Sequence, residues 1–151
     1  MLRAVPLLLA SLTLAAASLA APPAPVVASQ AWARPTFQGS GASSGYVTLT
    51  ATEPLMLVGA STSAAGIVEI HQMKLEGDVM KMRAVDSIAL APGQPFVLKP
   101  GGYHFMLMDL KAPFKKGGRI ALNLQFRDAR GAERLLAVTL PVTDQAPESA
   151  R

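Results

Sequence analysis

Cysteine is absent from all 151 residues, and histidine occurs only twice. Without thiols the chain has no disulfide staples, so its stability must come from packing. It also offers no cysteine for lipid attachment and no thiol redox centre. A blue-copper electron-transfer site needs a cysteine thiolate beside two histidines and is excluded on the same ground. Two histidines are too few for a copper-zinc superoxide dismutase type of centre, and a histidine brace would need one at the N-terminus. A hydrolytic triad would need a nucleophile beside one of them, and Ser87 with Asp86 is a weak pair for that role. These absences argue against an enzyme. Charge is also sparse, at 16% of residues with a formal net charge of +4. Lys74, Lys81, Lys99, Lys115, Lys116 and Arg119 are scattered among acids, so there is no nucleic-acid-binding stripe and nucleic acid is not an expected partner.

Long apolar runs are missing after the first residues. MLRAVPLLLASLTLAAASLAAPP has one early positive charge at Arg3, an apolar stretch from about Leu7 to Ala17, and then small residues suited to signal peptidase. The stretch is shorter than the ~20 residues of a membrane-spanning helix. It reads as a signal peptide over residues 1–20 that directs export to the periplasm, with no stable membrane insertion. Cleavage after Ala20 or after Ala28 would fit. Residues 21–30, with PPAPVVAS, read as an extended linker, residues 31–142 as one domain, and residues 143–151 as a flexible tail. A mature part of this size suffices for a single core and leaves no room for a second.

Sustained helical periodicity is absent too. Short runs of Val, Ile, Leu, Thr and aromatics alternate with Gly, Pro, Ser and Asp clusters, which predicts an all-β antiparallel domain. Strands are expected near 30–34, 45–51, 55–61, 66–75, 79–86, 95–98, 103–109, 119–127 and 133–141. Gly39 to Gly45 reads as a flexible loop, and Lys99-Pro100-Gly101-Gly102 as a turn of type II chemistry. Trp32 is expected in the core.

What the chain does have is concentrated between His71 and Met108. That stretch holds both histidines and five of the seven methionines. Thioether sulfur is uncharged and polarisable, a poor ligand for Mg²⁺ or Ca²⁺, whereas thioether and imidazole together suit Cu(I). Residues i and i+2 of a strand share a face, roughly 6.5 Å apart at the backbone. His104 therefore sits with Met106, His71 with Met73, Met80 with Met82, and Met106 with Met108. Geometry alone offers seven candidate ligands and does not choose among them. Taken singly, each methionine is an ordinary core filler; together, a chain with two histidines that places each beside an i+2 methionine points to a metal.

The spacing His71-x10-Met82-x21-His104-x-Met106, with GDVMKMR before it and LKPGGYHFMLM around its end, resembles the signature of the periplasmic copper A chaperone (PCuAC, DUF461) family. AWARPT at residues 31–36, SGYVTLT, LVGASTSAAGIVEIHQM and NLQFRD extend the resemblance over nearly all of the chain after residue 30. The resemblance implies a cupredoxin-like (immunoglobulin-like) β-sandwich and one Cu(I) ion held by His71, Met82, His104 and Met106. Met73, Met80 and Met108 would then be packing neighbours or transient ligands. The implied role is delivery of copper toward the copper A site of cytochrome c oxidase, with copper donor or acceptor proteins and a thiol-bearing assembly factor as partners. A periplasmic copper-tolerance or storage protein shares the same ligand chemistry, and a metal-free adhesion or assembly module shares only the strands and the export signal.

Overall fold

Ten strands in two antiparallel sheets make up the computed structural model, which describes residues 21–148. They are β1 (Val26–Ala33), β2 (Ala42–Ala51), β3 (Leu55–Ser61), β4 (Ala65–Glu76), β5 (Val79–Val85), β6 (Ile88–Leu90), β7 (Pro95–Leu98), β8 (Tyr103–Leu110), β9 (Arg119–Asp128) and β10 (Glu133–Pro141). One sheet runs β1-β2-β8-β4-β5, with β7 also paired to β2, and the other runs β10-β9-β3-β6. The cupredoxin-like sandwich expected from the sequence is thus the fold observed. The signal segment over 1–20 lies outside the described residues. Among those residues no helix is long and apolar enough to cross a membrane.

Alternation along the strands makes the core. Phe105 and Leu107 of β8, Val47 and Leu49 of β2 and Ile70 of β4 point inward from the larger sheet. They meet Leu57, Leu122, Leu124, Phe126 and Leu140 from the smaller one. Each such side chain contributes about 1.5–3 kcal/mol on burial. Because the period is two, burying Phe105 and Leu107 of β8 turns His104, Met106 and Met108 to the outer face of the larger sheet.

Two strand starts, one short strand and the C-terminal tail differ from the sequence reading. β1 begins at Val26 and pairs with Ala51, so it takes in half of the stretch expected as a linker. Its alternation is broken by a register shift between Ser29 and Trp32, where Gln30 has φ 51°, and this hid the first part of the strand, which the sequence reading began at residue 30. β2 begins at Ala42, inside the expected flexible loop; its small residues Ala42 and Ser44 pair with Met108 and Met106 of β8. β6 was not anticipated, having three residues that pair with Leu55–Leu57. At the C-terminal end, Thr143 donates its N–H to Ala33 O and Asp144 pairs with Lys116, which ties down the first residues of the expected tail.

Candidate metal centre

β4 is the middle strand of the site. His71 lies directly opposite His104 on β8 and directly opposite Ala84 on β5. Its diagonal neighbours include Met106, which pairs with Glu69, and Met82, which pairs with Met73. Direct cross-strand partners have Cβ atoms about 4.5–5.5 Å apart and diagonal ones about 7–8 Å, within reach of long side chains. All four residues singled out in the sequence therefore share one face, with His71 at their centre. The structure brings the two histidines together outright, their ring centroids 5.8 Å apart and edge to face. Met106 stands beside His104 on the same strand. Met82 is farthest out, on the edge strand and 48% exposed. Met73 and Met108 lie on the same face, Met73 directly opposite Met82 and Met108 beside Met106.

The turn before β8 sets His104. Lys99-Pro100-Gly101-Gly102 closes with Gly102 N–H donating to Lys99 O at 3.0 Å, and Gly101 takes φ 79°, the left-handed conformation a type II turn requires at that position. Gly102 O then accepts two hydrogen bonds, from the Met73 backbone N–H at 3.0 Å and from Nδ1–H of His104 at 3.2 Å. The second bond puts the proton on Nδ1 and leaves the Nε2 lone pair of His104 for a ligand. His104 is only 3% exposed, and burial holds its pKa below the ordinary histidine range, with the nearby His71 acting in the same direction and the Gly102 carbonyl opposing. The ring is kept neutral, the state that coordinates metal.

His71 is arranged the opposite way round. Its Nε2–H donates to Glu69 Oε2 at 2.7 Å, and its Nδ1 is buried with no hydrogen-bond partner. An unpaired buried polar atom costs about 1–3 kcal/mol and is rare in folded proteins. The carboxylate fixes the tautomer and leaves the Nδ1 lone pair unused, the relation that a carboxylate bears to a metal-bound histidine. Among the described residues no group of three or more His, Cys, Asp or Glu side chains is placed to hold a metal ion. A metal shell here has to draw on thioether sulfur, and the residues present fit a soft ion.

Behind His104 the sequence reading missed a supporting layer. Trp32 is buried, but on the outer face of the sheet rather than in the main cluster between sheets. It packs on Tyr46 at 4.5 Å between centroids, and Tyr46 lies 6.4 Å from His104. Arg34 covers both rings, at 5.9 and 5.8 Å, and donates from Nε to the Tyr46 hydroxyl at 2.9 Å. Met106 borders a surface cavity of about 230 Å³ with Arg34, Phe37 and Ser44, so the ligand face opens to solvent beside this layer. Glu69 and Gly102 were also missed. Glu69 could have been found by its i−2 spacing from His71; Gly102 acts through a carbonyl that carries no sequence signal.

Comparison with known proteins follows the same residues. The family model described as "Putative lipoprotein LpqE-like" matches residues 26–142, nearly the whole sandwich. The chain belongs to this LpqE-like family. A relative in Leifsonia xyli subsp. xyli, named "Putative lipoprotein Lxx21020", is 33% identical over 120 residues, covering 79% of this chain and 70% of the relative. An uncharacterized protein of Rickettsia prowazekii, RP573, is 37% identical over 105 residues, covering 66% of this chain and 58% of its own length. Among solved structures, apo-DR1885 from Deinococcus radiodurans is 26% identical with a TM-score of 0.57, covering 95% of this chain and 97% of that one. The CuI-DR1885 form is 27% identical with a TM-score of 0.54, over 85% and 83% of the two chains. The copper-bound PCuAC domain from PmoF2 shares the fold at a TM-score of 0.59 and 20% identity, over 79% of this chain and 94% of that domain. The PCuAC resemblance drawn from the His/Met spacing is borne out by the family match and by these neighbours.

Proposed function

We propose that this LpqE-like chain is a periplasmic Cu(I) chaperone that holds one ion between His71, Met82, His104 and Met106 and passes it on. The observation that carries the reading is the orphaned, buried Nδ1 of His71, in a ring that lies 5.8 Å from a second histidine on the methionine-bearing face. The Cu(I) form of DR1885, which has the same fold, supports it. His71 binds through Nδ1 and His104 through Nε2, while Met82 and Met106 add neutral sulfur. Two neutral imidazoles and two thioethers bind Cu(I) without the charge of thiolates, so ligand exchange to a thiolate-rich acceptor runs downhill. That chemistry suits a carrier for the copper A site of cytochrome c oxidase, working with a thiol-bearing assembly factor.

Three measurements test this. Purified protein dialysed against Cu(I) should retain about one ion per chain; no retention would refute the reading. Deletion of the gene should impair oxidase assembly at ordinary copper levels; a loss only of survival in excess copper would assign tolerance or storage instead. The exported chain should begin at Ala21 rather than Ser29, because cleavage after Ala28 would remove Val26 from its pairing with Ala51. Mass measurement of the exported protein reads this directly, and an intact Met1 terminus in the membrane would contradict export.

A further inference from the structure

The β4–β5 hairpin extends past its neighbour. β8 pairs with β4 only as far as Tyr103 opposite Gln72, so from Lys74 outward β4 has β5 as its only ladder partner. The two strands are joined by Gly77-Asp78, with Gly77 at φ 65°, the two-residue glycine-first pattern of a tight hairpin turn. One face of this projection is charged, with Glu76 clamped by Lys81 at 2.8 Å and Arg83 at 2.5 Å. The opposite face, continuous with the histidine pair, carries Met73, Leu75, Met80 and Met82. Leu75, Met80 and Met82 are 60%, 46% and 48% exposed.

Three thioethers among four residues on a solvated strand pair is not a choice that packing or propensity explains. Exposed strand positions favour β-branched and aromatic residues, and exposed methionine is open to oxidation. Their placement is specific. Met73 and Met82 are direct cross-strand partners, and Met80, opposite Leu75, is the diagonal neighbour of Met73. Unbranched side chains with three rotatable bonds can turn their sulfurs toward one point from these positions.

We propose that Met73, Met80 and Met82 form a loading site for a soft monovalent ion, Cu(I) or Ag(I), distinct from the His/Met set and joined to it through Met82. The proposal rests on the His/Met reading as the destination of the ion. Three neutral sulfurs on an exposed hairpin hold the ion weakly and release it readily. Transfer is ligand exchange: metal–sulfur bonds to Met73 and Met80 break as bonds to Nδ1 of His71, Nε2 of His104 and the sulfur of Met106 form, with Met82 bound throughout. Both imidazole nitrogens already carry lone pairs, so no proton is displaced, and the metal keeps its oxidation state. Because Met82 is common to both sets, one ion occupies one set or the other, and the total stays at one per chain.

The test uses Ag(I) and methionine methyl NMR on a His71→Leu/His104→Leu variant. The methyls of Met73, Met80 and Met82 should shift together, with an affinity that stays flat from about pH 7 to about pH 5, since thioethers have no proton to lose there. Methyls of Met73 and Met80 that do not move would overturn the proposal. His104 is buried, so a second variant guards against misfolding. Met73→Leu/Met80→Leu in the otherwise unaltered chain should slow loading from an Ag(I) complex of free methionine by a larger factor than it weakens the equilibrium affinity for Ag(I); an unchanged loading rate would also overturn it. In the unaltered protein, shifts of Met73, Met80 and Met82 without any shift of either imidazole would refute the His/Met reading and leave the loading site standing. Imidazole shifts without Met73 and Met80 responding in the double-histidine variant would refute the loading site alone.

Discussion

His71 and His104 face each other across the β4–β8 ladder in opposite tautomeric arrangements, one donating from Nε2 to Glu69 and the other from Nδ1 to the Gly102 carbonyl. Each is held by its own strand neighbourhood so that the nitrogen left over carries a lone pair. Two rings set this way, 5.8 Å apart, are an arrangement a metal can bridge and a proton-loaded pair would resist.

In the proposed site, selectivity for a soft ion would come from the thioethers. Replacing both Met82 and Met106 by Leu should abolish Cu(I) retention while costing about 1 kcal/mol of stability or less, because Leu and Met are close in volume and Met82 is exposed. Dialysis against Cu(I) and a thermal melt read the two effects separately. Unchanged retention would remove the methionines from the shell.

Glu69 acts through His71 and should matter without touching the ion. Glu69→Gln keeps an acceptor for Nε2–H but loses the charge, and Glu69→Leu loses both. Cu(I) affinity should fall in that order, by about 10-fold or more for the Leu variant. A chelator competition checks the order; equal affinities would reduce Glu69 to a surface ion pair.

The turn at Gly101 links backbone geometry to the site. An alanine at φ 79° is strained by about 1–2 kcal/mol. Gly101→Ala should lower the melting temperature and weaken Cu(I) binding together, because the carbonyl that orients His104 belongs to the next residue. Lost stability with unaltered binding would separate the turn from the ligand.

Acid should release the ion. Burial places the His104 pKa below the usual value, so in the apo-protein its neutral form stabilises the fold above the unfolded-state pKa of about 6.5. That contribution is lost as pH falls from there through the lower folded-state value. For the metal, two competing protons make the affinity fall by up to about a hundredfold per pH unit well below both pKa values, and one by about tenfold. Competition titrations corrected for chelator protonation distinguish these slopes, and a flat profile would rule out both histidines.

The strand pattern was legible because the two-residue period runs through β9 and the end of β10, while β4 and β8 stand as apolar-rich runs bounded by Gly, Pro and Asp turn signals. It failed at β1, where a bulge at Gln30 breaks the alternation, and at the start of β2, where Ala42 and Ser44 look like loop residues and are small because they pair with methionines. Seven candidate ligands could be named from residue type and spacing, with four of them singled out by the family resemblance, and the type II turn could be named from Pro100 and Gly101. What spacing cannot express is which ring nitrogen is free. That depends on Glu69, which is visible only once β4 is a strand, and on a backbone carbonyl that any residue would supply. The Trp32–Tyr46–Arg34 layer was hidden for a related reason: a buried tryptophan near the start of a domain reads as core, and only the pairing of Trp32 with Tyr46 shows that it packs on the ligand face.

The most direct test is nitrogen-15 NMR of both imidazoles with one equivalent of Ag(I), whose nuclear spin couples to a bound nitrogen. Coupling should appear at Nδ1 of His71 and at Nε2 of His104, with the methyls of Met82 and Met106 shifting in the same step. An ion that couples to neither ring, or that leaves those methyls unmoved, would contradict the His/Met site.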